Sequence, residues 1–175
     1  MHIDVSPWAA YALFKVPMHE LARTTVPLDD VLPAELVGPL EDSPSWDDRF
    51  ALLDDFFARR LLDGTAPEVF PEVVWAWERL CSTHGQARVS SLAEELGWSR
   101  KRLVARFREQ IGLPPKAVAR LLRFERARSL VGRMSWADLA FACGFSDQSH
   151  LISEFRAFTG RTPETFRQDA AADSP

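Results

Sequence analysis

The sequence predicts a mainly α fold: two helix-turn-helix units of homeodomain-like, three-helix kind joined by a long linker helix and preceded by a small helical N-terminal region. Three observations carry this. The stretch Leu92 to Pro115, LAEELGWSRKRLVARFREQIGLPP, is repeated in pattern by Leu139 to Pro163, LAFACGFSDQSHLISEFRAFTGRTP, and an internal repeat marks a duplicated supersecondary unit. Each copy sets a glycine, one aromatic residue and a serine between two runs of helical periodicity. Between the copies, Pro115 to about Gly132 has an amphipathic pattern long enough for one helix.

Taken in order, the chain first alternates from His2 to Val5 as an edge strand would, then runs helix-like from Pro7 to Phe14. Pro17, Pro27 and Pro33 divide the next stretch into short pieces. The run VPLDDVLP is either an extended segment and turn or a short helix capped by Asp29 or Asp30. A clearer helix begins at Ser45, with Asp48 three residues on, close to a capping box. Its stripe is Trp46, Phe50, Leu53, Phe57 and Leu61, widened by Leu52 and Phe56, so it is expected to be heavily buried or to face a partner. After Gly64 to Pro67, Pro71 to Thr83 makes a helix with Val73, Val74, Trp77, Leu80 and Cys81 inward and Gly85 as terminator.

In the first repeat, Ser90 or Ser91 caps the leading helix, Ser91 with Glu94 as a capping box. Gly97 supplies the left-handed turn, Trp98 plugs the space between helices, and Ser99 caps the second helix. There Leu103, Phe107 and Ile111 recur every four residues and fix an inward face. The linker helix carries Val118, Leu121, Leu122, Phe124, Ala127, Leu130 and Val131 on one side and Arg120, Arg123, Arg126 and Arg128 on the other. Ser135, with Asp138, caps the next helix; Gly144, Phe145 and Ser146 then repeat the turn, and Leu151 and Phe155 face inward. Thr162 and Pro163 open a last short helix through Phe166 and Arg167, and residues 170–175 are expected to form a disordered tail. Leu92, Ala93, Gly97 and Ser99 recur 47 residues later, whereas Leu103, Phe107, Arg108, Gly112 and Pro115 recur 48 later. The second copy thus has one extra residue, expected near His150.

At about 100° per residue, with Leu103 at the centre of the buried face, Lys101, Ala105 and Arg108 point outward, flanked by Arg102 and Val104. Ser149, Ser153 and Arg156, flanked by His150 and Ile152, hold the same places in the second copy. Small or polar residues along an exposed stripe with cations at its margins suit a helix offered to a major groove, because bases are read by close contact and phosphates by charge. A pair of ordinary solvated helical hairpins would show the same periodicity. Two copies in register, joined by a long helix, favour nucleic acid.

Residues from about Ala87 to Gln168 resemble the DNA-binding domain of AraC/XylS-type transcription regulators. The second copy matches that family's signature at Gly144, Phe145, Asp147, Gln148, Ser149, Phe155, Gly160 and Pro163. The resemblance implies base contacts from Lys101, Val104 and Ala105 in one recognition helix and from Ser149, His150 and Ser153 in the other. Val104 and Ala105 donate no hydrogen bond, so direct readout by the first helix leans on Lys101, Arg102 and thymine-methyl contacts. Ser99, Arg100, Arg106, Arg108, Gln148, Arg156 and Arg161 are assigned to phosphates, which supply the salt-sensitive affinity. The segment WAAYALFKVPMHELARTTVPLDDVL resembles the last third of the regulatory domain in one branch of the family. The β-rich effector barrel that precedes it there is expected to be missing.

Net charge divides with the pattern. Residues 1–84 hold 6 Lys/Arg and 15 Asp/Glu, a balance of −9, and residues 85–169 hold 15 and 9, a balance of +6; Asp173 completes the overall −4. That asymmetry predicts an acidic, mainly helical region over 1–84, used for packing or dimerisation, beside a basic DNA-binding domain over 85–169. Double-stranded DNA is the expected partner, with RNA polymerase or a second copy as further candidates, no membrane, and no small-molecule effector taken by this chain. No apolar run reaches membrane length and no leader pattern is present, so the expected location is the cytoplasm, at the bacterial nucleoid.

Catalysis and cofactors are not expected. His19-Glu20 is half of a zinc-helix motif without its second histidine. His84 stands at a helix end, where it favours the helix dipole. Cys81 and Cys143 give no disulfide or metal framework, and Cys143 reads as a packed thiol. Asp29-Asp30, Asp47-Asp48 and Asp54-Asp55 read as solvated carboxylates. A rival reading makes the acidic half, with Trp8, Trp46, Trp75 and Trp77, a module that binds another regulator while DNA binding is vestigial.

Overall fold

The computed structural model of the chain describes residues 3–27, 30 and 34–172. Among these residues there are eleven helices and no strand. Ile3 to Val5 are coil, so the expected edge strand does not form; a lone strand has no ladder to satisfy its backbone groups. Of the run VPLDDVLP only Val26, Pro27 and Asp30 are described, so the choice between its alternatives lies outside the described residues. By contacts the chain divides into two compact units, and the division crosses the sequence boundary at 84/85.

One unit holds α1 (Pro7–Phe14), α2 (Met18–Leu21), α3 (Ala34–Asp42), α4 (Trp46–Leu62), the start of α5 (Pro71–Ser82) and α7 (Arg100–Ile111). Ser6 caps α1 by accepting from the Ala9 N–H at 3.3 Å, and Pro7 sits where no N–H is needed. Leu36, Leu40 and Leu53 form a small core with Phe14, Leu52, Phe56 and Phe57 against it. Arg49 ties α4 to α3 by donating to the Leu40 and Ser43 carbonyls, each at 3.0 Å.

Ser45 caps α4 as its sequence predicts, accepting from the Asp48 N–H. The stripe is not heavily buried, however: Leu53 is covered, but Trp46 and Phe50 are each 54% exposed and Leu62 is 83% exposed. Within this unit α1 and α3 pack on α4, and they leave its two ends bare. Asp63, just past α4, takes hydrogen bonds from Lys15 Nζ and from the Thr65 N–H and hydroxyl. The Lys15 bond foremost, then the Thr65 bonds, lower its pKa from 3.8 to about 2.

The second unit holds the rest of α5, α6 (Val89–Glu95), α8 (Pro115–Leu130), α9 (Trp136–Ala142), α10 (Gln148–Thr159) and α11 (Pro163–Ala172). In α5, Val73, Ala76 and Leu80 are fully buried, while Val74, Trp77 and Cys81 are only partly so. Gly85 closes α5 by donating to the Leu80 carbonyl at 2.8 Å, with φ +77; a Cβ there would strike the Ala119 carbonyl of α8. Neither serine caps α6. The N-cap is Arg88, without a side-chain cap, and Ser90 and Ser91 lie inside the first turn, so the Ser91/Glu94 spacing only mimicked a capping box.

Phe124, Ala127, Leu139, Ala140, Cys143, Phe145, Leu151 and Phe155 form the core of this unit, with Leu130, Val131, Trp136 and Phe166 against it. Cys143 is a fully buried thiol whose pKa burial raises. Helix α8 ends at Leu130, and Leu121, expected inward, is exposed. Its arginines do not form a free cationic face. Arg120 bonds Glu154 and Arg128 bonds Glu125; Arg123 donates to the Gly85 carbonyl at 2.8 Å, and the Nε atoms of Arg123 and Arg126 are buried. Helix α11 runs to Ala172, so residues 170–172 of the expected tail are helical and the helix is not short.

Candidate nucleic-acid interface

Helix α7 follows a turn in which Gly97 has φ +64, and Ser99 caps it by accepting from the Arg102 N–H at 3.2 Å. Leu103, Phe107 and Ile111 are buried as their spacing requires, and Gln110 is buried with them. Arg100, Lys101, Arg102, Val104, Ala105 and Arg108 are exposed. That leaves Lys101, Ala105 and Arg108 as one outward stripe with Val104 at its edge.

Two expected contacts are otherwise engaged. The Arg102 guanidinium lies over the Trp98 ring, 4.1 Å from its centroid, and Trp98 is half-buried with its ring edge-on to Phe70 rather than serving as an inner plug. Arg106 pairs with Glu109 at 2.8 Å and lies over the Phe70 ring. On the helical wheel it stands far from Arg108, on the flank of the buried face.

Helix α10 has the same plan with one change. Its N-cap is Asp147, not Ser146; Asp147 Oδ1 accepts from the His150 N–H at 2.7 Å. That bond is the main cause of a lowered Asp147 pKa. The cap stands two positions past the glycine in the first copy (Gly97, Ser99) and three past it in the second (Gly144, Asp147). The extra residue therefore lies in the turn and not near His150. Serine can also cap, which is why Ser146 matched Ser99 in the sequence.

Leu151 and Phe155 are fully buried, and Phe145 fills the turn as expected. Gln148, Ser149, Ser153 and Arg156 are exposed. Gln148, Ile152 and Arg156 also border a cleft of about 260 Å³ shared with Trp136 and Thr162. His150 is turned back: its Nδ1 accepts from the Ser146 N–H at 3.3 Å and its ring lies edge-on to Phe145. Arg161 pairs with Asp169 at 2.5 Å.

Sequence reasoning did not find Glu154 or Gln110. Glu154, on the flank of α10, accepts from Arg120 Nε at 3.2 and 3.0 Å. Gln110 accepts from the Phe70 N–H at 3.1 Å and donates to the Glu68 carbonyl at 2.8 Å. A glutamine two turns beyond Leu103 and one beyond Phe107, on an apolar face, was the available signal.

Two glycine-turned helix pairs with buried inner faces and exposed outer stripes define a tandem helix-turn-helix protein. Residues 92–169 match the family described as a helix-turn-helix domain. Over 80 residues the chain is 34% identical to the HTH-type transcriptional activator RhaS of Escherichia coli (strain SE11), covering 45% of this chain and 29% of that one. The chain thus spans under a third of the length of the curated relatives it matches. The DNA-binding domain of AdpA, a global transcriptional factor solved in complex with a target DNA, is 31% identical at a TM-score of 0.50, covering 59% of this chain and 93% of that domain. A transcriptional regulator from Chromobacterium violaceum, described as having an AraC-type DNA-binding domain, is 27% identical at a TM-score of 0.52, with 59% and 96% covered. The C-terminal part of the chain is an AraC-type helix-turn-helix domain.

Among the described residues, no group of three or more His, Cys, Asp or Glu could hold a metal ion. No helix among them is long and apolar enough to cross a membrane.

Proposed function

We propose that this chain is a sequence-specific DNA-binding transcription regulator that sets α7 and α10 in successive major grooves, roughly 34 Å apart. The observation that carries the reading is the duplicated exposed stripe: Lys101, Ala105 and Arg108 on one helix, Ser149, Ser153 and Arg156 on the other, each opposite a buried apolar face. RhaS is a transcriptional activator by name and the AdpA domain was solved on its target DNA, which supports the same role here.

Lys101, Ser149 and Ser153 read base edges, and Val104 and Ala105 contact thymine methyls. Arg102 and His150 stand beside the bases from the positions their Trp98 and Phe145 contacts give them. Ser99, Arg100, Arg108, Gln148 and Arg156 serve phosphates, with Arg106 and Arg161 joining only on leaving their carboxylate partners. If the two helices sit closer than straight DNA requires, the site must bend, and its deformability adds to specificity. Residues 1–84 act as the packing or regulatory part and 85–169 as the DNA-binding part. The chain works as a non-enzyme in the cytoplasm, with RNA polymerase or a second copy as further partners.

Titration of a labelled random duplex at low salt tests the reading. Micromolar binding with a steep salt dependence is expected, and Arg108→Ala reduces the salt slope by about one unit on all sequences alike. Lys101→Ala changes relative affinities at particular base pairs instead. The bare Trp46 and Phe50 favour a second reading, in which the acidic half binds another regulator; absence of duplex binding at micromolar protein would select it.

A further inference from the structure

The two recognition helices are braced at equivalent positions by different parts of the chain. At the repeat offset of 48, Arg106 corresponds to Glu154 and Gln110 to Phe158, on the same flank of each helix. In α10 this flank is held by the linker helix: Arg120 bonds Glu154, and Phe124 stacks on Phe158 with ring centroids 4.7 Å apart. In α7 it is held by the acidic N-terminal half.

Gln110 is fully buried, and its amide spans the backbone at Glu68 and Phe70. The Arg106 guanidinium lies 4.9 Å from the Phe70 ring centroid. One turn away the Tyr11 hydroxyl of α1 donates to Glu109 Oε1 at 3.2 Å, and burial followed by the Glu109 charge raises the tyrosine pKa. At the end of α7, Gly112 has φ +94, and a Cβ there would come within 2.9 Å of the Met18 carbonyl of α2.

We propose that Gln110 is a positioning residue for DNA reading: through Glu68 and Phe70, with Tyr11 on α1 beside it, the N-terminal half is the seat that orients the first recognition helix, as the linker helix seats the second. This rests on the DNA-binding reading above. It makes the acidic half part of the specificity apparatus for one half-site rather than a separate regulatory attachment. A buried glutamine whose amide pairs with two backbone groups fixes both the rotation and the depth of its helix, because slipping either way leaves its own buried donor or acceptor unpaired.

The test joins two readouts on the full chain. Hydrogen exchange in the free protein compares Gln110→Leu and Tyr11→Phe with the parent. Gln110→Leu is expected to speed exchange of the α7 amides about tenfold or more, as removal of a buried hydrogen-bond partner predicts, with α10 unchanged. Competition binding over duplexes mutated in one half-site at a time should then show discrimination flattened at the α7 half and kept at the α10 half. Glu154→Leu should give the mirror result. If Gln110→Leu does not fold, Tyr11→Phe should show the same pattern at smaller size. Unchanged α7 exchange in the variants, or equal loss of discrimination at both halves, overturns the inference. A parent protein without sequence preference but with the α7-specific exchange change would sink the DNA reading and leave the seat standing.

Discussion

Replacing Phe155 and Phe158 one at a time by alanine tests how α10 is turned, since both aromatics lie on one helix but at different depths. Phe155 is fully buried, with its ring edge-on to Phe124 at 5.1 Å and to Phe166 at 5.9 Å between centroids. Phe158 is 39% exposed, stacks on Phe124 and has the Arg120 guanidinium 5.6 Å from its ring centroid. Truncating a buried phenylalanine costs about 3–5 kcal/mol in transfer and cavity terms. For Phe158 the stacking contributes about 0.5–1.5 kcal/mol beyond area burial, and its partial burial adds about 1–2 kcal/mol, about 1.5–3 kcal/mol together. Against a total of about 5–15 kcal/mol for a domain, Phe155→Ala consumes a large fraction and Phe158→Ala a smaller one. At a shared urea slope of about 2 kcal/mol per molar, the midpoint should fall by roughly 1.5–2.5 M for the first and by roughly 0.8–1.5 M for the second. Urea unfolding followed by far-UV circular dichroism measures the shifts, and hydrogen exchange in α8 to α10 locates them. Equal costs for the two substitutions would refute the assigned face, and the exposed stripe of Ser149, Ser153 and Arg156 with it.

Other expectations rest on single contacts. Ser99→Ala removes the α7 cap and should cost about 0.5–2 kcal/mol, while Ser90→Ala and Ser91→Ala, inside α6, should stay within about 0.5 kcal/mol of the parent in the same unfolding assay. Gly85→Ala should destabilise more than Gly160→Ala: both force an alanine into the left-handed region at about 1–2 kcal/mol, but only Gly85 also meets backbone, at Ala119. Asp63, with its pKa lowered from 3.8 to about 2, contributes stability that is present above about pH 4 and is lost as pH falls toward 2. Asp63→Asn should flatten that part of the acid-stability curve, read by thermal unfolding at stepped pH. A chain shortened to residues 85–169 should exchange its α7 amides faster than the full chain, since Glu68, Phe70 and Tyr11 go with the deleted part.

The repeat was legible because glycine at a left-handed turn, a four-residue apolar period and a capping side chain are local requirements that the sequence must meet residue by residue. Phe145, Leu103, Phe107, Leu151 and Phe155 stand where periodicity put them. The places where sequence reading missed depend on tertiary partners. The spacing of Arg120 and Arg123 shows only that they share one side of α8, since nothing local reveals that Glu154 and the Gly85 carbonyl lie opposite them. Trp98 has the same local setting as Phe145, yet it leans on Phe70, nearly thirty residues upstream. The cap of α10 shifted to Asp147 because both Ser146 and Asp147 are good capping residues, and only backbone geometry selects between them. The stripe of α4 had the period of a buried helix, but the amount of neighbouring chain available to cover it is not a local property.

Selection of bound sequences from a random duplex pool, run with the parent, Lys101→Ala and Ser153→Ala, tests most directly the claim that two outward stripes read DNA. The account predicts enrichment of two half-sites about one helical turn apart, with Lys101→Ala relaxing one half and Ser153→Ala the other. Enrichment of a single half-site, or both substitutions relaxing the same base pairs, would contradict it.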